Sequence, residues 1–321
     1  MESSRSVHPN GSGVTHAWVE VSDVRLHYAR AGTNADAPLV LLHGFPQSWL
    51  MWRHVLPALA ARHLVIAPDL RGYGASGKPG GAARYDKGTM AADVAALIRH
   101  LGLRRPVLIG HDRGARVARR YALDYPDDLA GVALLDILPA EYVYDRLSAA
   151  EIARSYWHWV FHIVPDLPER LIAGNEEAYL TALFGRAPGV IERLRADGAW
   201  DVYSQAFRSE GALAAMLRDY RATYADDVPR YRAERAAGVK VRVPVFLLWG
   251  ERGNLAGRPV VDIWREVAQS VTGRALRDCG HYVAEEQPEA VATELLRFVA
   301  ACYAAAPDEK SARQAPESSE E

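Results

Sequence analysis

The sequence predicts an α/β fold, a mostly parallel doubly wound sheet interrupted by an inserted helical lid. Three observations carry this. Five short aliphatic and β-branched runs occur at 38–42 (PLVLL), 64–68 (LVIAP), 106–110 (PVLIG), 132–135 (VALL) and 244–249 (PVFLLW), each bounded by turn residues. Parallel strands covered on both faces read as continuous apolar runs of this kind. Amphipathic stretches such as 90–101 and 115–125 alternate with them, as crossover helices do. The alternation then stops after Leu138, and from 139 to 227 Trp, Tyr and His recur at helical spacing with no clear strand.

Taken in order, residues 1–14 are rich in Ser, Gly and Asn and are expected to be a flexible N-terminus. Alternating runs at 17–21 and 24–28 predict an antiparallel hairpin at the front edge of the sheet. The core is expected over 15–138 and 228–303, with 139–227 as a helical lid. Such a lid would cover the carboxyl edge of the strands, where open α/β sheets bind ligands. The tail 304–321 ends in Pro, Ser and Glu and is expected to be disordered.

Composition excludes several classes of function. A net charge of -2 over 321 residues is not that of a dedicated nucleic-acid binder, which carries a basic face. Two cysteines, Cys279 and Cys302, are too few for a disulfide framework or a Cys-rich metal site. No apolar run reaches the roughly 18 residues of a membrane helix, and the polar start reads as no signal peptide. A cytoplasmic enzyme without a metal is the resulting expectation. Four of the 38 basic residues are lysine (Lys78, Lys87, Lys240, Lys310), leaving 34 arginines. A single Arg at a suggestive position therefore means little.

The run at 106–110 leads into Gly110-His111-Asp112-Arg113-Gly114 and then a helix. This is the G-x-S-x-G strand-turn-helix elbow with Asp in place of Ser. An Asp ahead of a helix is often only a capping residue. The two flanking glycines, at a crowded turn, make Asp112 the candidate nucleophile instead. A carboxylate is a poor nucleophile toward amides, but it displaces leaving groups from saturated carbon to give an alkyl ester. Hydrolysing that ester requires a base and an oxyanion hole.

His281, in Asp278-Cys279-Gly280-His281-Tyr282, follows the expected last strand and is the candidate base. Asp136, directly after the run at 132–135, is the preferred acid to orient it. The alternative lies after the run at 244–249, where Asn254 stands near the expected acid and Glu251 competes. His43-Gly44-Phe45-Pro46 resembles the HG-type oxyanion turn, so the backbone N–H groups of Phe45 and Arg113 are expected to face the developing charge. The His43 ring is expected to be structural.

With these residues the chain resembles the α/β-hydrolase family and, within it, the fluoroacetate dehalogenases, over about residues 15–303. His43-Gly44-Phe45-Pro46-Gln47 and Asp69-Leu70-Arg71-Gly72-Tyr73-Gly74 are shared with epoxide hydrolases and carry only the wider family. Asp112-Arg113-Gly114-Ala115-Arg116 is more specific, because haloalkane dehalogenases and epoxide hydrolases usually have Trp after the nucleophile. The chance of Arg at both positions, (34/321)², is about 1%. The resemblance implies that Arg113 and Arg116 hold a substrate carboxylate, offsetting its repulsion from Asp112. It further implies that His158, Trp159 and Tyr220 bind the halide, as N–H and O–H donors, and that Tyr144 lines the lid wall. A homodimer without cofactor, acting on a small anionic haloacetate, completes what it implies.

Two other readings compete. An epoxide hydrolase uses the same Asp-His-Asp set but needs lid tyrosines, for which Tyr142, Tyr144, Tyr156, Tyr220 and Tyr224 all remain open. A non-catalytic ligand receptor on the same fold would not need the full set.

Overall fold

Strands β1 (Thr15–Val21), β2 (Val24–Ala31), β3 (Leu39–Leu42), β4 (Val65–Pro68), β5 (Val107–His111), β6 (Gly131–Leu135), β7 (Val245–Gly250) and β8 (Val271–Leu276) form one eight-stranded sheet. Its order is β1-β2-β4-β3-β5-β6-β7-β8. The first two strands make the predicted antiparallel hairpin, β2 runs antiparallel to β4, and every later pair is parallel. This computed structural model describes residues 13–304; the predicted flexible ends fall outside the described residues except at Gly13, Val14 and Ala304.

The five apolar runs became β3 to β7 because every residue of β3, β4, β5 and β6 is buried. Sheet-covering helices at Lys87–His100 and Asp112–Asp124 follow β4 and β5. β8 reads differently: its interior residues Thr272, Gly273, Arg274 and Ala275 are exposed or half-exposed, as suits an edge strand.

Between β6 and β7 the described residues form helices and connecting turns, and no strand of the sheet. The lid boundary expected at 227 falls within a continuous helical run. Helices Ala212–Ala222 and Val228–Ala236 are joined by a π-helical turn at Thr223–Asp227, so helix runs through it. The turn is anchored on the core, where Asp227 Oδ1 accepts the backbone N–H of Lys87 at 2.9 Å. Wide helical turns of this kind often sit at functional sites. No helix among the described residues is long and apolar enough to cross a membrane.

Strand register decides where the chemistry lies. Leu42 pairs with Gly110, His111 with Leu135, and Leu135 with Leu248. The residues just beyond β3, β5, β6 and β7 therefore emerge side by side at the carboxyl edge, facing the helical insert. β3 lies between β4 and β5, so the chain's winding direction reverses beside Asp112, the usual location of a ligand crevice.

Candidate active site

Asp112 sits at φ 46°, in the left-handed region that a non-glycine residue enters only under constraint. The constraint is close packing. A Cβ on Gly110 would lie 2.6 Å from the Ala115 backbone, and one on Gly114 would overlap the carbonyls of Leu42 and His43. Only glycine at both positions lets the helix start this near β3 and β5. The turn aims the Asp112 side chain at the loop after β3, where the Phe45 N–H donates to Asp112 Oδ1 at 3.0 Å.

That loop is itself braced. The fully buried His43 accepts the Leu70 N–H on Nε2 at 3.0 Å and lies 3.0 Å from the Gly44 carbonyl through Nδ1. Burial lowers the His43 pKa, so the ring is a neutral strut, as expected. Asp69 accepts the Trp49 and Ala75 N–H groups at 2.8 and 2.9 Å, tying the loop to the next motif.

His281 Nδ1 lies 2.6 Å from Asp136 Oδ2, and Asp136 Oδ1 accepts the Gly250 N–H at 3.0 Å. Asp136 is 3% exposed at φ 50°. Glu251 is exposed, and Asn254 donates to the Ser155 carbonyl at 3.0 Å, so His281 Nδ1 is paired with Asp136 and not with either residue of the alternative position. The backbone around the imidazole is held by Glu286, which accepts the Gly280 N–H at 2.7 Å and the Tyr282 N–H at 2.9 Å. His111 touches the same loop through Nε2, 2.8 Å from the His281 carbonyl. Burial, with His281 nearby, lowers the His111 pKa to about 4 and keeps it neutral.

The two arginines expected to clamp an anion part company. Arg113 is fully buried; its Nε donates to Asp219 Oδ2 at 3.0 Å, and its Nη2 reaches Asp219 Oδ1 and Thr223 Oγ1, both at 2.5 Å. Lys87 also pairs with Asp219, and the Tyr73 hydroxyl donates to it at 2.8 Å. Arg113 is not among the residues lining the cavity at Asp112, and of its side-chain nitrogens only Nη1 has no partner among the described residues. The sequence expects Arg113 to hold a substrate carboxylate together with Arg116; here Asp219 engages its Nε and Nη2, and Nη1 is left over among the described residues. A buried carboxylate 106 residues along the chain already meets its charge, as an isolated buried cation would be too costly.

Arg116 does line the cavity. Its Nη1 donates to the Leu138 carbonyl at 3.1 Å, its Nε has no partner, and its guanidinium carbon stands 4.4 Å over the Trp159 ring. No carboxylate forms a salt bridge with it among the described residues. Burial, reinforced by the neighbouring Arg113, pushes its pKa below the usual guanidinium value. Such a cation gains from an anionic ligand.

The lid supplies His158, Trp159 and Tyr220, all buried and all lining the cavity. The Tyr220 hydroxyl and His158 Nδ1 have no partner among the described residues. Burial, with Asp112 adjacent, raises Tyr220 well above the usual tyrosine pKa, so it stays a neutral donor. Burial, with Arg186 second, holds His158 well below the usual imidazole value. Tyr144 does not line the cavity and instead packs its ring against Trp159 and Tyr224, at 5.6 and 5.3 Å. Tyr156 and Arg186 line it as well, and sequence reading had not assigned Arg186 to it. The cavity is about 20 Å³, on a scale where one water takes roughly 10–15 Å³.

For Asp112 itself, burial opposes ionisation. His281, His111, Arg113 and Arg116 outweigh it and hold the carboxyl below its ordinary pKa. Asp112 is therefore an anion at neutral pH. Among the described residues no cluster of His, Cys, Asp and Glu is arranged to hold a metal.

The chain matches the family model described as alpha/beta hydrolase fold over residues 37–288. It is 36% identical over 294 residues to a soluble epoxide hydrolase of Corynebacterium sp. (strain C12), covering 89% of this chain and 98% of that protein. It is 34% identical over 298 residues to a fluoroacetate dehalogenase of Burkholderia sp, covering 89% and 94%. Among solved structures, Cfl2 from Burkholderia cenocepacia superposes with a TM-score of 0.80 at 36% identity, over 89% of this chain and 96% of that one.

Proposed function

Because the chain belongs to the α/β-hydrolase fold family, we propose that this hydrolase removes halide from haloacetates, fluoroacetate or chloroacetate, giving glycolate. One observation carries the reading. Among the described residues, Arg116 Nε, His158 Nδ1 and Tyr220 Oη are buried without a partner and belong to residues that line one cavity with the ionised Asp112. Buried donors are nearly always paired, so a set left over at one place calls for an anionic ligand. The small cavity disfavours a bulky substrate.

In this mechanism Arg116 holds the substrate carboxylate, with Arg113 supplying positive potential from behind its pairing with Asp219. The Phe45 N–H occupies Asp112 Oδ1, which leaves Oδ2 to attack the α-carbon. The carbon–halogen bond breaks as the ester C–O bond forms, and the halide leaves toward Tyr220, His158 and Trp159. His281, held by Asp136, then takes a proton from water as it attacks the Asp112 carbonyl carbon. Negative charge builds on Oδ1, facing the N–H groups of Phe45 and Arg113. Collapse frees glycolate and the Asp112 carboxylate; His281 gives up its proton, so each turnover releases one halide and one proton.

A second reading is epoxide hydrolysis by the same Asp112, His281 and Asp136. Tyr156 and Tyr220 line the same cavity, and two phenols would suit protonation of an epoxide oxygen. An epoxide does not need unpaired Arg116. Halide release from chloroacetate and fluoroacetate, measured beside diol formation from styrene oxide, decides between them: diol without halide rejects the dehalogenase.

A further inference from the structure

Two cavities meet at Arg186. The buried one contains Asp112; the second, about 450 Å³, opens toward solvent beside the lid helix Ala149–Ser155. Arg186, Asn254 and His281 line both, so they form the neck between them. The outer cavity is also lined by Arg154, Arg252 and Arg258, against a single carboxylate, Glu151.

Pairing separates these arginines. Arg258 is 2.6 Å from Glu151, and Arg252 pairs with Asp278. Arg154 donates from Nε to the Ala150 carbonyl at 3.4 Å. Arg186 donates from Nε to the Leu183 carbonyl at 2.9 Å and from Nη1 to the Ser155 carbonyl at 3.4 Å. Neither Arg154 nor Arg186 has a carboxylate partner among the described residues. A positive charge thus stands at the mouth and another at the neck, with Arg116 beyond. The long Nη1 bond to a neutral carbonyl is easily exchanged for a charge-assisted one.

We propose that Arg186 is an anion-binding residue that receives the substrate carboxylate in the outer cavity and passes it to Arg116. It governs entry of the substrate and takes no part in bond making. This deepens the haloacetate reading and rests on the substrate being an anion. A cleft lined by one sign of charge raises the encounter rate with an oppositely charged ligand, and salt screens that gain.

The test uses the full chain as wild type, Arg186→Gln, Arg186→Lys and Arg154→Gln. Chloroacetate kinetics are recorded from low to high salt, and binding of unreactive acetate is measured by calorimetry. Arg186→Gln should raise the acetate Kd and the chloroacetate KM about tenfold, leave kcat within about twofold, and flatten the fall of kcat/KM with salt. Arg186→Lys should restore most of the salt dependence. The solvent-exposed Arg154→Gln, which folds even should Arg186→Gln not, should raise KM about two- to threefold and weaken the salt dependence at unchanged kcat. Unchanged acetate affinity and salt dependence in the folded variants would overturn the proposal, as would a loss of kcat at constant KM. A wild type that binds acetate through Arg186 yet releases no halide rejects the dehalogenase reading and leaves this one standing.

Discussion

Asp219 and Arg113 form a buried two-pronged ion pair, with Nε to Oδ2 at 3.0 Å and Nη2 to Oδ1 at 2.5 Å. Both side chains are fully buried, and Lys87 shares the same carboxylate. The residue after Asp219 is Tyr220, whose ring lies 4.2 Å from the Arg113 guanidinium carbon. One carboxylate thereby pairs with both Arg113 and Lys87, docks the lid on the core and places a donor beside Asp112.

Asp219→Asn should destabilise the protein by about 3–5 kcal/mol, since it leaves two buried cations without their counter-charge. Urea unfolding of the variant beside wild type measures this. A loss under about 1 kcal/mol would mean that water or another group takes over the pairing.

The same pair sets an acid limit. Burial alone would raise the Asp219 pKa, but Arg113 and Lys87 hold it far below the usual value. Its pKa is thus lower folded than unfolded, so the unfolded chain takes up a proton first as pH falls. The stability it contributes is complete above the unfolded aspartate pKa near 3.9 and declines below it. Melting temperature should fall from about pH 4 downward, and less steeply in Asp219→Asn.

Asp112→Asn should lose halide release by about 10⁴-fold or more, as the attacking oxygen is gone. Ion-selective electrodes for fluoride and chloride read this directly. Release at the wild-type rate would exclude attack by Asp112.

His281→Ala should release one halide per enzyme and then stop, because the ester forms without the base but is not hydrolysed. Intact-mass spectrometry should find one added carboxymethyl group, mapped by peptide digestion to Asp112. Continued turnover would place the base elsewhere.

Tyr220→Phe should cut fluoroacetate turnover by about 10²-fold, and chloroacetate turnover less, because fluoride depends most on hydrogen bonds as it leaves. Equal losses for both substrates would assign Tyr220 to positioning the substrate.

Much of the fold was legible in local patterns. β3 to β7 are buried along nearly their whole length, with His111 at the end of β5 as the polar exception, whereas the four interior residues of the edge strand β8 are exposed or half-exposed and lack that signature. The end of the lid is hard to read from the chain because the π-helical turn at Thr223–Asp227 continues the helical run across position 227. The turn around Asp112 was visible because steric crowding demands glycine on both sides, and that demand is written within five residues.

Local sequence was enough for the α/β class and for the elbow at Asp112, because strand burial and turn crowding act over a few residues. It also pointed to Asp136 and His281 as candidates at strand ends. Only the tertiary structure decided which charges are free. Arg113 and Arg116 lie three positions apart on one helix and look equivalent in the chain. The lid brings Asp219 against the first and Trp159 against the second. Arg186 reaches the neck of the cavity only through the packing of lid on core. Electrostatic interaction depends on distance through space and on exclusion of water, and neither is recorded in residue order.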